Sequence, residues 1–203
     1  LSLENVSWLP LRCPDSARKN GFSRALYCVK TDPDGLAGKW EQLRSTDSET
    51  GIDFLSPVSE TTEWAETTES DISRLIGILS GMNAYDRIVL DLDSSPSSRL
   101  RAAFATGGPI WWLLTEDEAC LYKTSILRNQ KRNDVFPDVF GSRAVVRFIL
   151  NKARRPSAEL FERYGIPLVA SLPWAETCAP GRNDDATERL ADAVFETFHI
   201  LEE

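Results

Sequence analysis

Two hydrophobic rhythms alternate along the chain. One returns about every three to four residues and the other runs unbroken over about four to eight, so helices and buried strands are predicted in turn. Leu1-Ser2-Leu3-Glu4 alternates apolar and polar like the closing residues of a strand. Pro10 and Pro14 break the next stretch and Ser16 to Gly21 is polar, so no regular element is predicted before Phe22. Phe22, Leu26 and Val29 share one helix face. Leu36, Trp40 and Leu43 repeat that spacing beyond Asp32-Pro33-Asp34-Gly35, which predicts two short helices joined by a turn. Gly51 to Pro57 predicts a short strand ended by proline. Ser59 to Ser73 carries Glu60, Glu63, Glu66, Glu69 and Asp71 without a basic residue and reads as a solvated loop or helix entry. Ile72, Leu75, Ile76, Leu79 and Met82 then fall at helical spacing, with Thr68 or Ser70 available as cap.

Ile88 to Leu90 has the pattern of a strand buried on both faces, and it empties into Asp91, Asp93, Ser94 and Ser95. A short helix over Arg99 to Thr106 ends at Gly107-Gly108, and Ile110 to Thr115 is a second apolar strand whose adjacent tryptophans face opposite sides of a sheet. Glu116 to Arg132 predicts a helix with Ala119, Tyr122 and Ile126 on its inner side. Ala144 to Leu150 is a strand ending in Asn151-Lys152, Pro156 to Tyr164 a short helix, Ile166 to Pro173 the last strand. Leu190, Val194, Phe198 and Leu201 line a closing helix. Short strands separated by helical stretches imply one α/β domain over 1–203, a mostly parallel sheet flanked by helices on both faces. In such a sheet the strand C-termini share one edge. Glu4, Asp91 with Asp93, Thr115, Asn151 with Lys152, and Pro173 are therefore expected to converge there, where ligands of open α/β sheets bind.

Composition narrows the partners. With 203 residues and 42% apolar content the chain can fill a substantial core. No apolar run approaches the roughly 18 residues of a membrane span. A net charge of -8 argues against broad binding of nucleic acid or anionic membrane. Cys13, Cys28, Cys120 and Cys178 are scattered and His199 is the only histidine, so no metal cage is written in the sequence; the thiols read as reduced and the protein as cytoplasmic. Met82 is the only methionine, so residue 1 reads as a processed or cut end.

The motif-bearing strand ends also carry a resemblance. Tyr85-Asp86-Arg87-Ile88-Val89-Leu90-Asp91 is similar to the Walker B strand of the MinD/ParA group of deviant Walker ATPases, and the order of parts most resembles their CpaE/TadZ-like pilus-assembly relatives. Leu1 to Glu4 resembles the end of that group's second strand, Phe148 to Lys152 its strand ending in asparagine and lysine, and Gly165 to Pro173 the strand that closes over the base. The resemblance implies a Rossmann-like P-loop NTPase fold binding ATP and Mg²⁺. It assigns Asp91 to the metal through water, with Asp93 beside it, and Glu4, Asn151, Lys152 and Pro173 to the nucleotide. It also implies protein partners in a secretion or pilus-assembly machine and a homodimer closed by nucleotide. No G-x-x-x-x-G-K-[ST] run occurs in the 203 residues, and Gly107-Gly108-Pro109 precedes a strand instead of opening a helix. The chain therefore reads as N-terminally incomplete, its first strand and phosphate loop lying upstream. The competing reading is a degenerate member kept as a protein-interaction scaffold.

Asp91-Leu92-Asp93-Ser94-Ser95 also resembles the nucleophile motif of haloacid-dehalogenase-type phosphatases, with Asp91 attacking phosphorus, Asp93 as acid/base, and Thr115, Lys152 and Asp184-Asp185 as further parts. Against it, such domains open with that strand, and Asp184-Asp185 sits in a loop. Arg128, Lys131, Arg132, Arg143, Arg147, Lys152, Arg154 and Arg155 concentrate positive charge, either as a docking surface for an acidic partner or as a solvated face. The closing helix has an acidic polar side, which predicts packing on the sheet instead of lipid binding.

Overall fold

The computed structural model describes residues 1–3, 20–48, 50–57, 62–95, 97–129, 145–154, 158–174 and 185–202. Its elements in chain order are α1 (Gly21–Thr31), α2 (Leu36–Leu43), β1 (Arg44–Thr46), β2 (Asp53–Leu55), α3 (Thr62–Ala65), α4 (Glu69–Gly81), α5 (Ser98–Ala105), β3 (Ile110–Leu114), α6 (Glu118–Asn129), β4 (Val146–Ala153), α7 (Ala158–Arg163), β5 (Leu168–Pro173) and α8 (Asp185–Glu202). The chain divides into two compact units, Leu1–Thr106 and Gly107–Glu203, each with its own core.

In the first unit the predicted helix faces are the buried ones. Phe22, Leu26 and Val29 of α1, Leu36, Trp40 and Leu43 of α2, and Ile72, Leu75, Ile76 and Leu79 of α4 meet in a single cluster. Each large side chain so buried contributes about 1.5–3 kcal/mol relative to exposure. Thr68 caps α4 in a reciprocal box. Its hydroxyl accepts the Asp71 N–H at 3.2 Å, and the Asp71 carboxylate accepts the Thr68 N–H at 3.0 Å. β1 pairs antiparallel with β2, Ser45 opposite Phe54. A Cβ on Gly21 would lie 2.4 Å from the Leu43 carbonyl oxygen, so α1 approaches the end of α2 this closely only with glycine at its first position.

The Ile88–Leu90 stretch departs from expectation. It forms an isolated parallel bridge between Ser2 and Asp91 in place of a regular strand buried on both faces, and Val89 is 65% exposed. The bridge is held by three backbone hydrogen bonds in the parallel pattern. The Leu1 nitrogen donates to the Val89 carbonyl at 2.7 Å, the Asp91 N–H to the Leu1 carbonyl at 3.0 Å, and the Leu3 N–H to the Asp91 carbonyl at 2.8 Å.

The second unit is a parallel sheet in the order β3-β4-β5 with helices against it. Alternate residues Trp112 and Leu114 of β3 and Val146, Phe148 and Leu150 of β4 fall on one face by the two-residue period, and they pack with Leu121 of α6 and Phe161 of α7. α6 turns the other way from its predicted orientation. Leu121, Thr124 and Ser125 are buried, whereas Ala119, Tyr122 and Ile126 face outward. β4 also runs further than predicted, because Asn151 and Lys152 lie inside it, at an irregularity where Lys152 takes φ 59°.

Candidate functional site

Asp91 is fixed by its backbone and left open at its side chain. Both its N–H and its carbonyl are spent on the Leu1–Leu3 ladder, while the residue is exposed at the ladder's end. Among the described residues no group of three or more His, Cys, Asp or Glu side chains could cage a metal. One exposed carboxylate suits a magnesium ion that keeps most of its waters and takes its remaining ligands from phosphates, which is how Mg²⁺ is commonly held. Glu4 lies outside the described residues.

Asp93 is engaged differently. One carboxylate oxygen accepts the Ser95 N–H at 2.8 Å, closing a local turn, and the other stands 3.6 Å from the Arg99 guanidinium. Arg99 is buried and stacks over the Trp64 ring, its carbon 4.4 Å from the ring centre. Burial lowers its pKa from the ordinary arginine value, and the Asp93 charge opposes that shift. Ser97 caps α5 by accepting the Leu100 N–H at 3.2 Å, and Arg101 reaches Glu69 of α4 at 2.9 Å. The loop after Asp91 is therefore tied down at both ends. Neither Arg99 nor Trp64 carried a motif in the sequence; the only signal was an arginine in the first turn of a helix otherwise buried.

Tyr85, the first residue of the ATPase-like strand motif, serves the fold. Its hydroxyl accepts the Trp40 indole N–H at 2.6 Å and donates to Asp53 at 2.8 Å. Asp53 also takes the Thr46 hydroxyl at 2.5 Å and pairs with Arg44. A cleft of about 120 Å³ opens beside this network, lined by Trp40, Ile52, Tyr85 and Val89 among others. Small-molecule pockets run to about 300–1,000 Å³, so the cleft accommodates a side chain, not a nucleotide.

In the second unit the three parallel strands bring their C-terminal ends to one edge, toward which Thr115, Asn151, Lys152 and Pro173 lie. The Asp91 bridge, by contrast, belongs to the first unit and is not a strand of this sheet. Ala153 pairs with Pro173, the Trp174 N–H donates to the Ala153 carbonyl at 2.9 Å, and Glu116 accepts the Arg154 N–H at 3.2 Å. The Arg154 guanidinium lies 4.2 Å from the centre of the Trp174 ring, and the Lys152 ammonium 5.9 Å from it. This aromatic and basic cluster was only half legible, since Arg154 and Lys152 stood in the basic run but nothing singled out Trp174. Lys131, Arg132, Arg143, Arg155 and Asp184 lie outside the described residues, as do the side chains of Asp185 and His199.

The sequence matches no family model and no curated protein. Among the solved structures similar to it are two ATPases. A ParA-family ATPase from Chlorobium tepidum superposes with a TM-score of 0.56 at 16% identity, over 83% of this chain and 64% of that one. The cell division ATPase MinD from Pyrococcus furiosus gives a TM-score of 0.59 at 15% identity, over 99% of this chain and 98% of that one. The chain thus spans under two thirds of the ParA-family protein. The fold is the α/β fold of the MinD and ParA ATPases, and among the described residues no helix is long and apolar enough to cross a membrane.

Proposed function

We propose that this chain is part of a nucleotide-dependent localisation or assembly protein of the MinD/ParA/TadZ type, acting in the cytoplasm on protein partners such as a secretion or pilus-assembly machine. The observation that carries the reading is the parallel ladder that ends at Asp91, with its carboxylate exposed at the strand end where the resemblance expects a magnesium-holding aspartate. The fold shared with MinD and ParA proteins supports it.

In this reading Asp91 would hold Mg²⁺ through water, and Asp93 positions the loop that follows through Ser95 and Arg99. By resemblance alone, Asn151, Lys152, Pro173 and Glu4 would serve the nucleotide, the first through its amide and the second through its charge. Bound Mg-ATP would supply a hydrolysable phosphate whose charge the metal neutralises. The 203 residues contain no G-x-x-x-x-G-K-[ST] run, the Gly-rich loop whose N–H groups would cradle the phosphates. Where the protein has no such loop, the same fold serves as a scaffold. Nucleotide would close a dimer and hydrolysis would time the release of partners, so that binding is the output.

Asp91→Asn tests the assignment in a protein that carries the loop. Hydrolysis is expected to fall well over tenfold while fold and most nucleotide affinity remain, because the carboxylate acts on the metal's waters. A phosphatase would instead form a beryllofluoride adduct on Asp91 in residues 1–203 alone. Such an adduct, abolished by Asp91→Asn, overturns the ATPase reading.

A further inference from the structure

The irregularity in β4 decides where two cations go. Val146, Phe148 and Leu150 face the apolar cluster of the second unit, so strict alternation would send Lys152 and Arg154 in after them. They do not follow. From Leu150 to Ala153 β4 advances three residues while β5 advances two, from Ser171 to Pro173, and the extra residue reverses the alternation. Ala153 then packs against the cluster, and Lys152 and Arg154 stand exposed beside Trp174. The reversal strains the backbone, since Lys152 takes φ 59°, a conformation that a lysine rarely adopts.

The bulge thereby assembles one aromatic ring and two cations. The Arg154 guanidinium lies 4.2 Å from the centre of the Trp174 ring and the Lys152 ammonium 5.9 Å from it. The Trp174 N–H, donating to the Ala153 carbonyl at 2.9 Å, holds the residue beside the bulge while 39% of it stays exposed. Neither cation has an ion-pair partner among the described residues. Glu116 borders the cluster and accepts the Arg154 backbone N–H at 3.2 Å, which leaves two cations against one carboxylate in a chain of net charge -8. An open indole beside cations in excess gives a flat ring a surface to stack on and an attached anion two groups to pair with. The cluster stands at the C-terminal edge of the parallel strands, where α/β sheets bind ligands.

We propose that Trp174, Arg154 and Lys152 form a site for a nucleoside monophosphate, whose base stacks on the indole while its phosphate meets the two cations. The choice of ligand rests on the nucleotide reading above, but the site needs neither Asp91, nor Mg²⁺, nor a Gly-rich loop. It is carried whole by the second unit.

Titration of residues 1–203 with adenosine monophosphate in the absence of Mg²⁺ tests it, followed by NMR at the Trp174 indole N–H, whose resonance is identified by its loss in Trp174→Phe. Saturable binding is expected with a dissociation constant on the order of 1 mM, and adenosine or inorganic phosphate alone should bind at least about tenfold more weakly. Lys152→Gly removes the ammonium and suits the left-handed backbone, so the variant is expected to keep its spectrum elsewhere and to weaken monophosphate binding about tenfold. Arg154→Ala should weaken it by a similar factor, and Asp91→Asn should leave it unchanged. An unmoved Trp174 resonance overturns the proposal. So does monophosphate binding no tighter than that of adenosine, or binding that Lys152→Gly and Arg154→Ala both leave intact. Benzoate binding as tightly as the monophosphate makes the occupant an aromatic acid and overturns it too. If adenosine monophosphate fails here while a protein carrying the loop binds Mg-ATP, this site falls and the nucleotide reading stands.

Discussion

Asp53 shows how much of this chain's polar chemistry is structural. Burial works to raise its pKa, but hydrogen bonds from Thr46 and Tyr85 and the Arg44 charge outweigh it and hold the carboxyl below the ordinary carboxylate value. A depressed carboxylate pKa stabilises the fold above the unfolded value of about 3.9, and that stabilisation is lost as pH falls through the folded value. Asp53→Asn is therefore expected to cost about 1–3 kcal/mol in urea unfolding at pH 7. The gap should close at low pH, where the wild-type carboxyl is itself protonated. An equal gap at pH 7 and pH 3 would mean that packing, not charge, holds this network. The sequence marked Tyr85 as part of a motif but could not announce its contact with Asp53, because residues so far apart along the chain meet only through the fold. Asp91 was legible for the opposite reason. A carboxylate directly after an apolar run is a local pattern, and local patterns survive in sequence.

At the scale of elements, the helices of the first unit could be read directly because their apolar spacing matches their burial. The Thr68 cap of α4 was visible too, as one of two candidates. Replacing Thr68 with Ala is expected to cost about 1 kcal/mol in chemical unfolding, and Thr68→Ser almost nothing, since serine keeps the accepting oxygen. Equal losses for both would remove the capping box from the account. Leu75, with no exposed surface, should cost about 2–5 kcal/mol on truncation to Ala, read in the same experiment. β1 escaped notice because Arg44-Ser45-Thr46 has no apolar residue and pairs only through β2. α6 was placed correctly but begun two residues early, at Glu116 instead of Glu118, and its face was assigned wrongly. The rule that apolar residues turn inward failed where Thr124 and Ser125 could satisfy their own hydroxyls on the helix and so be buried at little cost. Ile88 to Leu90 was read as a strand buried on both faces, and the described residues give it a single short bridge and leave Val89 exposed.

For the whole molecule, the α/β class with its parallel sheet was legible, and so was the likeness to MinD and ParA folds, which the two superpositions carry at 15% and 16% identity. Identity that low shows the fold alone, and contacts such as Arg99 over Trp64 and Arg154 over Trp174 become visible only in the folded chain. The proposed nucleotide function rests on Asp91 and on a phosphate cradle that the 203 residues do not spell out. Calorimetric titration with Mg-ATP addresses that claim most directly, comparing residues 1–203 with the same residues preceded by a strand and a Gly-rich lysine loop. The shorter chain is expected to bind weakly or not at all, and the longer one at least about a hundredfold more tightly and only with Mg²⁺, a gain of about 2.7 kcal/mol or more. Equal affinity in the two, or low-micromolar Mg-dependent binding by residues 1–203 alone, would contradict the account and place the site elsewhere on the chain.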